Sequence, residues 1–412
     1  MRTETHVSQA RLLIGLAVLA LLSYTLYNFL YLPPHRILPD EHRFINTAIE
    51  LAETGELRVR GKRAWEMPGL AILYSLLYKS VGSSSGLIIV ARTVQSLALL
   101  LTAVMVYGIS RYVFHDNIAA TVSYTLTLFY PFFIFYQGVL MSETVFIFLL
   151  VAGFLWLYRW ENASFERDRY LVVATIAFAL AVYFKATLWL LPPLLVASLA
   201  LFAGRSRLRF LRALVLSALV FGICLSPWWF RNYQVFNEFV PFTTASPRLL
   251  YSGNNPMNES GGGRRGMDWE PIAEFDTLSE LAWAEAYRRE ALSYIARNPG
   301  TFVRMSVLKF VRYWRLYPYA EEWNESRYII ISIMSYGTVL VFACIGTVTQ
   351  RLSWRRLAPV YILIGFFTAV HVVFITSIRY RLPLEPFLIL LASPPIAASG
   401  RWLTRLLKRR FP

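Results

Sequence analysis

The sequence predicts an all-α polytopic membrane protein: a single integral-membrane domain, 1–412, of about 10 transmembrane helices, with two long external segments carrying interfacial helices. Three observations predict this. Of the 412 residues, 56% are hydrophobic, more than a soluble core of this size can hide. The apolar residues come in runs close to the ~20 needed to span a bilayer as a helix. The net charge of +16 gathers in short arginine-rich loops and at the C-terminus, a pattern of membrane orientation rather than nucleic-acid binding.

Spans are expected at 12–32, 87–113, 118–136, 139–158, 170–184, 188–203, 211–230, 328–348, 357–376 and 384–399. The first is too long for a signal-peptide core and has no small-residue cleavage site, so it reads as retained. The fifth and sixth are short. Counting them separately brings three basic clusters to one side: Arg205 to Arg212, Arg351 to Arg356, and Arg401 to Arg410. Merging them would split those clusters, so ten crossings with both termini in the cytoplasm are expected. Cys224 and Cys344 fall inside apolar runs and read as buried small hydrophobes, with no disulfide framework.

The first external segment, 33–86, is expected to hold a helix over 40–54 with an apolar stripe from Phe44 to Ala52. A polar link over 55–63 follows, then Met67-Pro68-Gly69 and a short interfacial helix over 70–78. The second, 231–327, holds turns at Gly253-Asn254-Asn255-Pro256 and over 261–266, then amphipathic helices near 278–297 and 300–317. On the latter, Arg304, Lys309, Arg312 and Arg315 oppose Phe302, Leu308, Val311 and Trp314.

Candidate chemistry concentrates on one membrane face. Asp40 and Glu41 follow the first span. Asp40 reads either as a helix N-cap or as a general base for an acceptor hydroxyl or amine. Arg43, one turn on, can hold Asp40 ionised or grip a phosphate. Arg92, Lys185, Arg231, Arg379 and Arg381 stand at outer helix ends. There a lone cation usually snorkels, but arginines among aromatics suit a lipid phosphate. Glu143 opens the fourth span as a helix-start carboxylate, a supporting carboxylate or a metal ligand. Glu66, Glu321 and Glu322 are weaker candidates of the same kind. The sequence has no P-loop, GxGxxG, HExxH or CxxC motif, and its five histidines lack ligand spacing. Asn258-Glu259-Ser260 and Asn324-Glu325-Ser326 match the glycosylation acceptor pattern, which is common by chance.

Six motifs in order resemble the bacterial polyprenyl-phosphate-sugar glycosyltransferases of the GT-C fold. These are relatives of the protein O-mannosyltransferases, the lipid A aminoarabinose transferase and the rhizobial galacturonosyltransferases. The motifs are Pro39-Asp40-Glu41-His42-Arg43, Met67-Pro68-Gly69-Leu70, Ala91-Arg92, Ser142-Glu143, Pro227-Trp228-Trp229-Phe230-Arg231-Asn232-Tyr233 and Arg379-Tyr380-Arg381-Leu382-Pro383. The resemblance implies an inverting single displacement at the periplasmic face of a bacterial inner membrane. The donor is then a polyprenyl-phosphate-linked sugar, and the acceptor a glycan, lipid or protein. It implies Asp40 as catalytic base beside Glu41, and Arg43 on the lipid phosphate. Where the aminoarabinose transferase pattern has a phosphate-binding lysine, this chain has Met67, so Lys62, Arg63, Lys185 or Arg231 would have to compensate. No cofactor is required, although a divalent cation on Glu143 or Glu41 stays open. A lipid or glycan flippase and a non-catalytic assembly protein of a polysaccharide pathway are the rival readings.

Overall fold

The computed structural model describes residues 2–32, 38–202, 207–258, 271–318, 323 and 325–410. In chain order the helices are α1 (Arg2–Leu26, continued by a π-helical turn, Tyr27–Tyr31), α2 (Pro39–Thr54), α3 (Gly69–Val81), α4 (Ser84–Phe114), α5 (Asn117–Phe129) and α6 (Pro131–Gly138). Then come α7 (Glu143–Asn162), α8 (Asp168–Val182), α9 (Leu191–Phe202), α10 (Arg207–Phe236), α11 (Ser246–Gly253) and α12 (Glu280–Arg297). The last five are α13 (Pro299–Tyr313), α14 (Ser326–Ser332), α15 (Thr338–Thr349), α16 (Trp354–Val373) and α17 (Glu385–Arg410). The 261–266 turn, Glu259, Asn324 and the pair Glu321 and Glu322 lie outside the described residues.

Each expected span contains a helix or a bent helix pair. Among the described residues seven helices are long and apolar enough to cross a membrane, or eight if α5 with α6, bent by 44°, counts as one span. The bend falls at Pro131, which cannot donate into the preceding turn. α8 and α9 are short, at about 22 and 18 Å. By length and composition neither qualifies as a crossing, so the ten expected crossings reduce to seven or eight among the described residues, although α8 still runs between the two ends of the bundle. Asp168 at the start of α8 pairs with Arg212 (3.0 Å), whereas Lys185, at the joint after α8, meets Glu143 at the start of α7 (3.0 Å).

This alternation sorts the joints into two ends. At one end Asp116 pairs with Arg401 (2.7 Å), Gln9 bonds Tyr107 and Asn117, and Tyr158 donates to the Arg356 carbonyl. The start of α1 and the end of α17 lie there. The opposite end carries the α6–α7, α8–α9 and α16–α17 joints and both external segments.

The α6–α7 joint is a buried non-helical stretch, so its polar groups need partners outside a helix. Arg92 donates to the Gly138 carbonyl (2.9 Å), Gln95 to that of Val139 (2.9 Å), and Glu41 accepts from the Leu140 N–H (2.7 Å). The stripe on α2 buries Phe44, Ile45 and Ala48 against α3 and α4.

Two expectations are corrected. Cys344 is exposed on the lipid side of α15 and Cys224 is half-buried. Lys309 is fully buried, not on a solvated face. It donates to Asn254 Oδ1 (3.1 Å) and to the carbonyl of Val373 at the end of α16 (3.3 Å), where helix carbonyls favour a cation. The apolar Val311, by contrast, is 61% exposed, which suits a helix lying against lipid.

Candidate active site

Pro39 supplies a fixed φ at the first position of α2. The N-cap is Leu38, so Asp40 is the second helical residue and does not cap. Capping falls to Glu41, whose Oε2 accepts the Leu38 N–H (2.7 Å) while its own N–H donates to the Leu38 carbonyl (3.0 Å). Glu41 is fully buried, with its other oxygen on Leu140. Asp40, one residue earlier and ~100° around the helix, turns outward to the end of the bundle.

There Arg379 Nη1 donates to Asp40 Oδ2 (2.8 Å), and Arg379 Nε donates to Glu143 Oε1 (2.6 Å). Lys185 Nζ donates to the same Glu143 oxygen (3.0 Å). Glu143 is fully buried, whereas Asp40 keeps 39% of its side chain exposed. Arg43 Nη2 lies 3.6 Å from Asp40 Oδ1 and 3.4 Å from Glu66 Oε2. Thus α2, the α3 approach, α7, the α8–α9 joint and the turn before α17 each contribute a charge.

The Arg379 turn is backed by stacked rings. Tyr380 lies on His371 (4.8 Å, 5°), and His371 lies on Tyr313 (5.6 Å, 18°). Gly69 fixes the α3 end: its N–H donates to the Tyr183 carbonyl (2.7 Å), and a Cβ there would stand 2.6 Å from that oxygen.

Two carboxyls around Arg43 are pushed apart. Burial would raise Asp40, but the Arg379 and Arg43 guanidiniums outweigh it and hold the carboxyl below its ordinary value. Burial raises Glu66, and Arg43 offsets this only in part. Burial lowers the Lys185 ammonium, with Glu143 opposing.

Arg381 and Arg379, two residues apart, have different surroundings. Arg381 is fully buried, donating to Glu385 Oε1 (3.1 Å) and to the carbonyls of Tyr313 (3.1 Å) and Arg315 (2.7 Å), with its guanidinium 3.3 Å from the Tyr336 ring. The structure thus places it inside the bundle, away from any headgroup. Arg231 and Arg63 lie in a separate cavity, where Arg231 Nη1 donates to the Arg63 carbonyl (2.7 Å).

Two cations that the sequence reading passed over do approach the site. Glu280 accepts the N–H groups of Arg63 (2.6 Å) and Ala64 (2.9 Å) and the Thr244 hydroxyl (2.6 Å), docking the second external segment on the first. This sets the Arg248 guanidinium 4.7 Å from the Trp65 ring, with Arg60 5.7 Å from the same ring. Arg60 and Gly61 form the tip of a two-residue turn between Val59 and Lys62, both at positive φ (53° and 76°). That is costly for Arg60 and easy for Gly61. Burial and then the like charges of Arg60 and Arg43 push Arg248 down to about 10. Around Asp40, Glu66 and Glu143 stand Arg43, Arg60, Lys185, Arg248 and Arg379, an excess of two positive charges. Trp65, a ring next to Glu66, was the available signal; nothing in the spacing of Arg248 marks it.

Asp40 and Glu143 are already bridged by Arg379. Among the described residues no group of three His, Cys, Asp or Glu side chains could hold a metal ion.

No family model and no curated protein matches the chain. Solved structures do. The apo oligosaccharyltransferase of Archaeoglobus fulgidus superposes with a TM-score of 0.58 at 14% identity, over 97% of this chain and 52% of that one. AglB from the same organism, in complex with an inhibitory peptide and a dolichol-phosphate, gives 0.55 at 16%, again over 97% and 52%. ArnT from Cupriavidus metallidurans bound to undecaprenyl phosphate gives 0.48 at 15%, over 95% and 78%. The chain spans about half the length of the oligosaccharyltransferase structures it matches. Its fold is the GT-C-like helical membrane fold of those oligosaccharyltransferases.

Proposed function

We propose that this protein is a membrane glycosyltransferase. It moves a sugar from a polyprenyl-phosphate carrier to a glycan, lipid or protein acceptor, in one inverting displacement at the periplasmic face of a bacterial inner membrane. The observation that carries this reading is a partly exposed, ionised Asp40 set among excess cations at one end of an apolar bundle. The basic loops at the opposite end support a cytoplasmic placement of the termini.

Asp40 accepts the proton of an acceptor hydroxyl or amine as that atom bonds to the anomeric carbon. The carbon–oxygen bond to the carrier phosphate breaks on the opposite face, and its electron pair leaves with the phosphate. A carboxylate held below its usual range is a weak base. It therefore takes the proton late, once bond formation has acidified the acceptor. The carrier changes from a phosphodiester to a monoester and gains negative charge. Cations already in place stabilise that change more than the ground state. Arg43 and Arg248 stand closest to this role, and Arg248 supplies the cation absent at Met67. Glu143 and Lys185 position Arg379. With Arg379 between the two carboxylates, a divalent cation does not fit the cluster, and the reaction is written without one.

The purified protein, given a polyprenyl-phosphate sugar, should transfer the sugar with inversion. Asp40→Asn should abolish transfer yet retain carrier binding, while Arg248→Gln should weaken carrier binding roughly tenfold or more, the worth of one charge-assisted bond. Full activity in Asp40→Asn would remove Asp40 as the base.

A further inference from the structure

A cavity of about 410 Å³ opens between the end of α2, the 55–63 link, α3 and α10. It is separate from the Asp40 cluster. Pro68 and Tyr183 line it, while Glu66 and Lys185, two residues from each, face the cluster, so the backbone seam between Gly69 and Tyr183 forms the dividing wall.

The cavity is amphipathic. Leu51, Ile72, Trp228 and Val235 give it apolar walls, and Arg58, Arg63 and Arg231 line it with Glu56 as the single carboxylate. Arg58 is held by Glu56 (2.5 Å), and Arg231 is spent on the carbonyls of Arg63 and Leu57 (2.7 and 3.3 Å) and on Asn232 (3.0 Å). The Arg63 guanidinium makes no ion pair with any described residue. Its backbone is fixed on both sides, N–H on Glu280 and carbonyl on Arg231.

The surroundings are those of a bilayer surface. Ile72 and Leu76 on α3 are 43% and 61% exposed, and on α10 so are Ile223 (71%) and Phe230 (63%). Trp228 and Trp229 stand at the outer end of α10, where indoles sit at headgroup depth. A guanidinium with no ion pair among the described residues, over apolar walls at this depth, fits a molecule with a phosphate head and a hydrocarbon tail. The volume is that of a pocket for one small ligand, enough for a headgroup and the top of an acyl chain.

We propose that this cavity binds an anionic phospholipid. Its phosphate lies on Arg63, with Arg58 beside it, and an acyl chain lies along Ile72, Trp228 and Val235. The bound lipid braces the link that carries Arg60 and leads into Trp65 and Glu66, so the bilayer's anionic lipid supports the order of the first external segment. This inference concerns binding and does not depend on the proposed reaction.

The test uses the full-length protein in nanodiscs of phosphatidylcholine, with and without phosphatidylglycerol. Native mass spectrometry reads retained lipid and thermal unfolding reads stabilisation. The wild type should retain phosphatidylglycerol over phosphatidylcholine by roughly tenfold or more, the worth of one charge-assisted pair, and unfold at a higher temperature with it. Arg63→Gln with Arg58→Gln should lose both effects. Arg289→Gln, on the exposed face of α12, should keep them. Asp40→Asn should also keep them, which separates this inference from the proposed chemistry. Three results would overturn it: no preference in the wild type, an unchanged preference in the double variant, or equal protection by inorganic phosphate. Displacement of phosphatidylglycerol by a polyprenyl phosphate would make the cavity the carrier's slot, and would likewise end the proposal.

Discussion

Arg379→Gln tests the centre of the site. The substitution removes two charge-assisted hydrogen bonds, 2.6 Å to Glu143 and 2.8 Å to Asp40. The Glu143 arm ends on a fully buried carboxylate, so its loss should cost about 2–3 kcal/mol. The Asp40 arm joins side chains 23% and 39% exposed, and water screens it to about 1 kcal/mol or less. A total near 3 kcal/mol should appear as a lowered unfolding midpoint with the protein still folded. The pH profile is the sharper readout. In the wild type the Asp40 carboxyl is depressed below its ordinary 3.8. The stability it contributes is therefore present above that value and lost as pH falls through the lower, folded one. In the variant, burial is opposed by Arg43 at 3.6 Å and by the more distant Lys185, without the Arg379 hydrogen bond, and the carboxyl rises. In the proposed reaction transfer needs the ionised form, so the acidic limb of the rate profile should move to higher pH. An acidic limb that stays in place while stability falls would refute the reading that Arg379 sets the charge on Asp40.

Other outcomes follow from the same geometry. Glu41→Ala should destabilise by about 2–4 kcal/mol, because it uncaps α2 and leaves the buried Leu140 N–H unpaired; transfer should fall only in step with the folded fraction. Arg381→Met should cost about 3–5 kcal/mol by stranding the buried Glu385 carboxylate, and Glu385→Leu in the same chain should recover much of it, as thermal unfolding would report. Chelation with EDTA should leave transfer unchanged, since Arg379 bridges Glu143 to Asp40 and Glu41 is committed to the Leu38 and Leu140 N–H groups.

The fold was legible because its determinants are local. Run length and loop charge locate helices without knowledge of what they touch, and even the shortness of α8 and α9 shows in the apolar windows. The α5–α6 break at Pro131 is readable in principle, although 118–136 reads as a single span on apolar run length alone. At the site, helix ends marked Asp40, Arg43, Glu143, Lys185 and Arg379 as sharing a face, and the structure brings these five together. What spacing did not carry is which of two near neighbours faces the site. Asp40 and Glu41 differ by one step of a helix, and Glu41 turns inward because Leu38 and Leu140 need an acceptor there. Arg379 and Arg381 lie on one 3₁₀ turn, where two residues rotate a side chain most of the way around. One reaches Asp40 and the other is drawn to Glu385 and the end of α13. Arg248 was hidden for a different reason. Its place beside Trp65 depends on Glu280 holding two segments more than 200 residues apart (|i−j| of 216 and 217), and no local period records such a contact. In the proposed reaction Arg248 stands in for the lysine that the resemblance would place at Met67, and sequence position could not have named it, because tertiary docking rather than the motif brings this cation in.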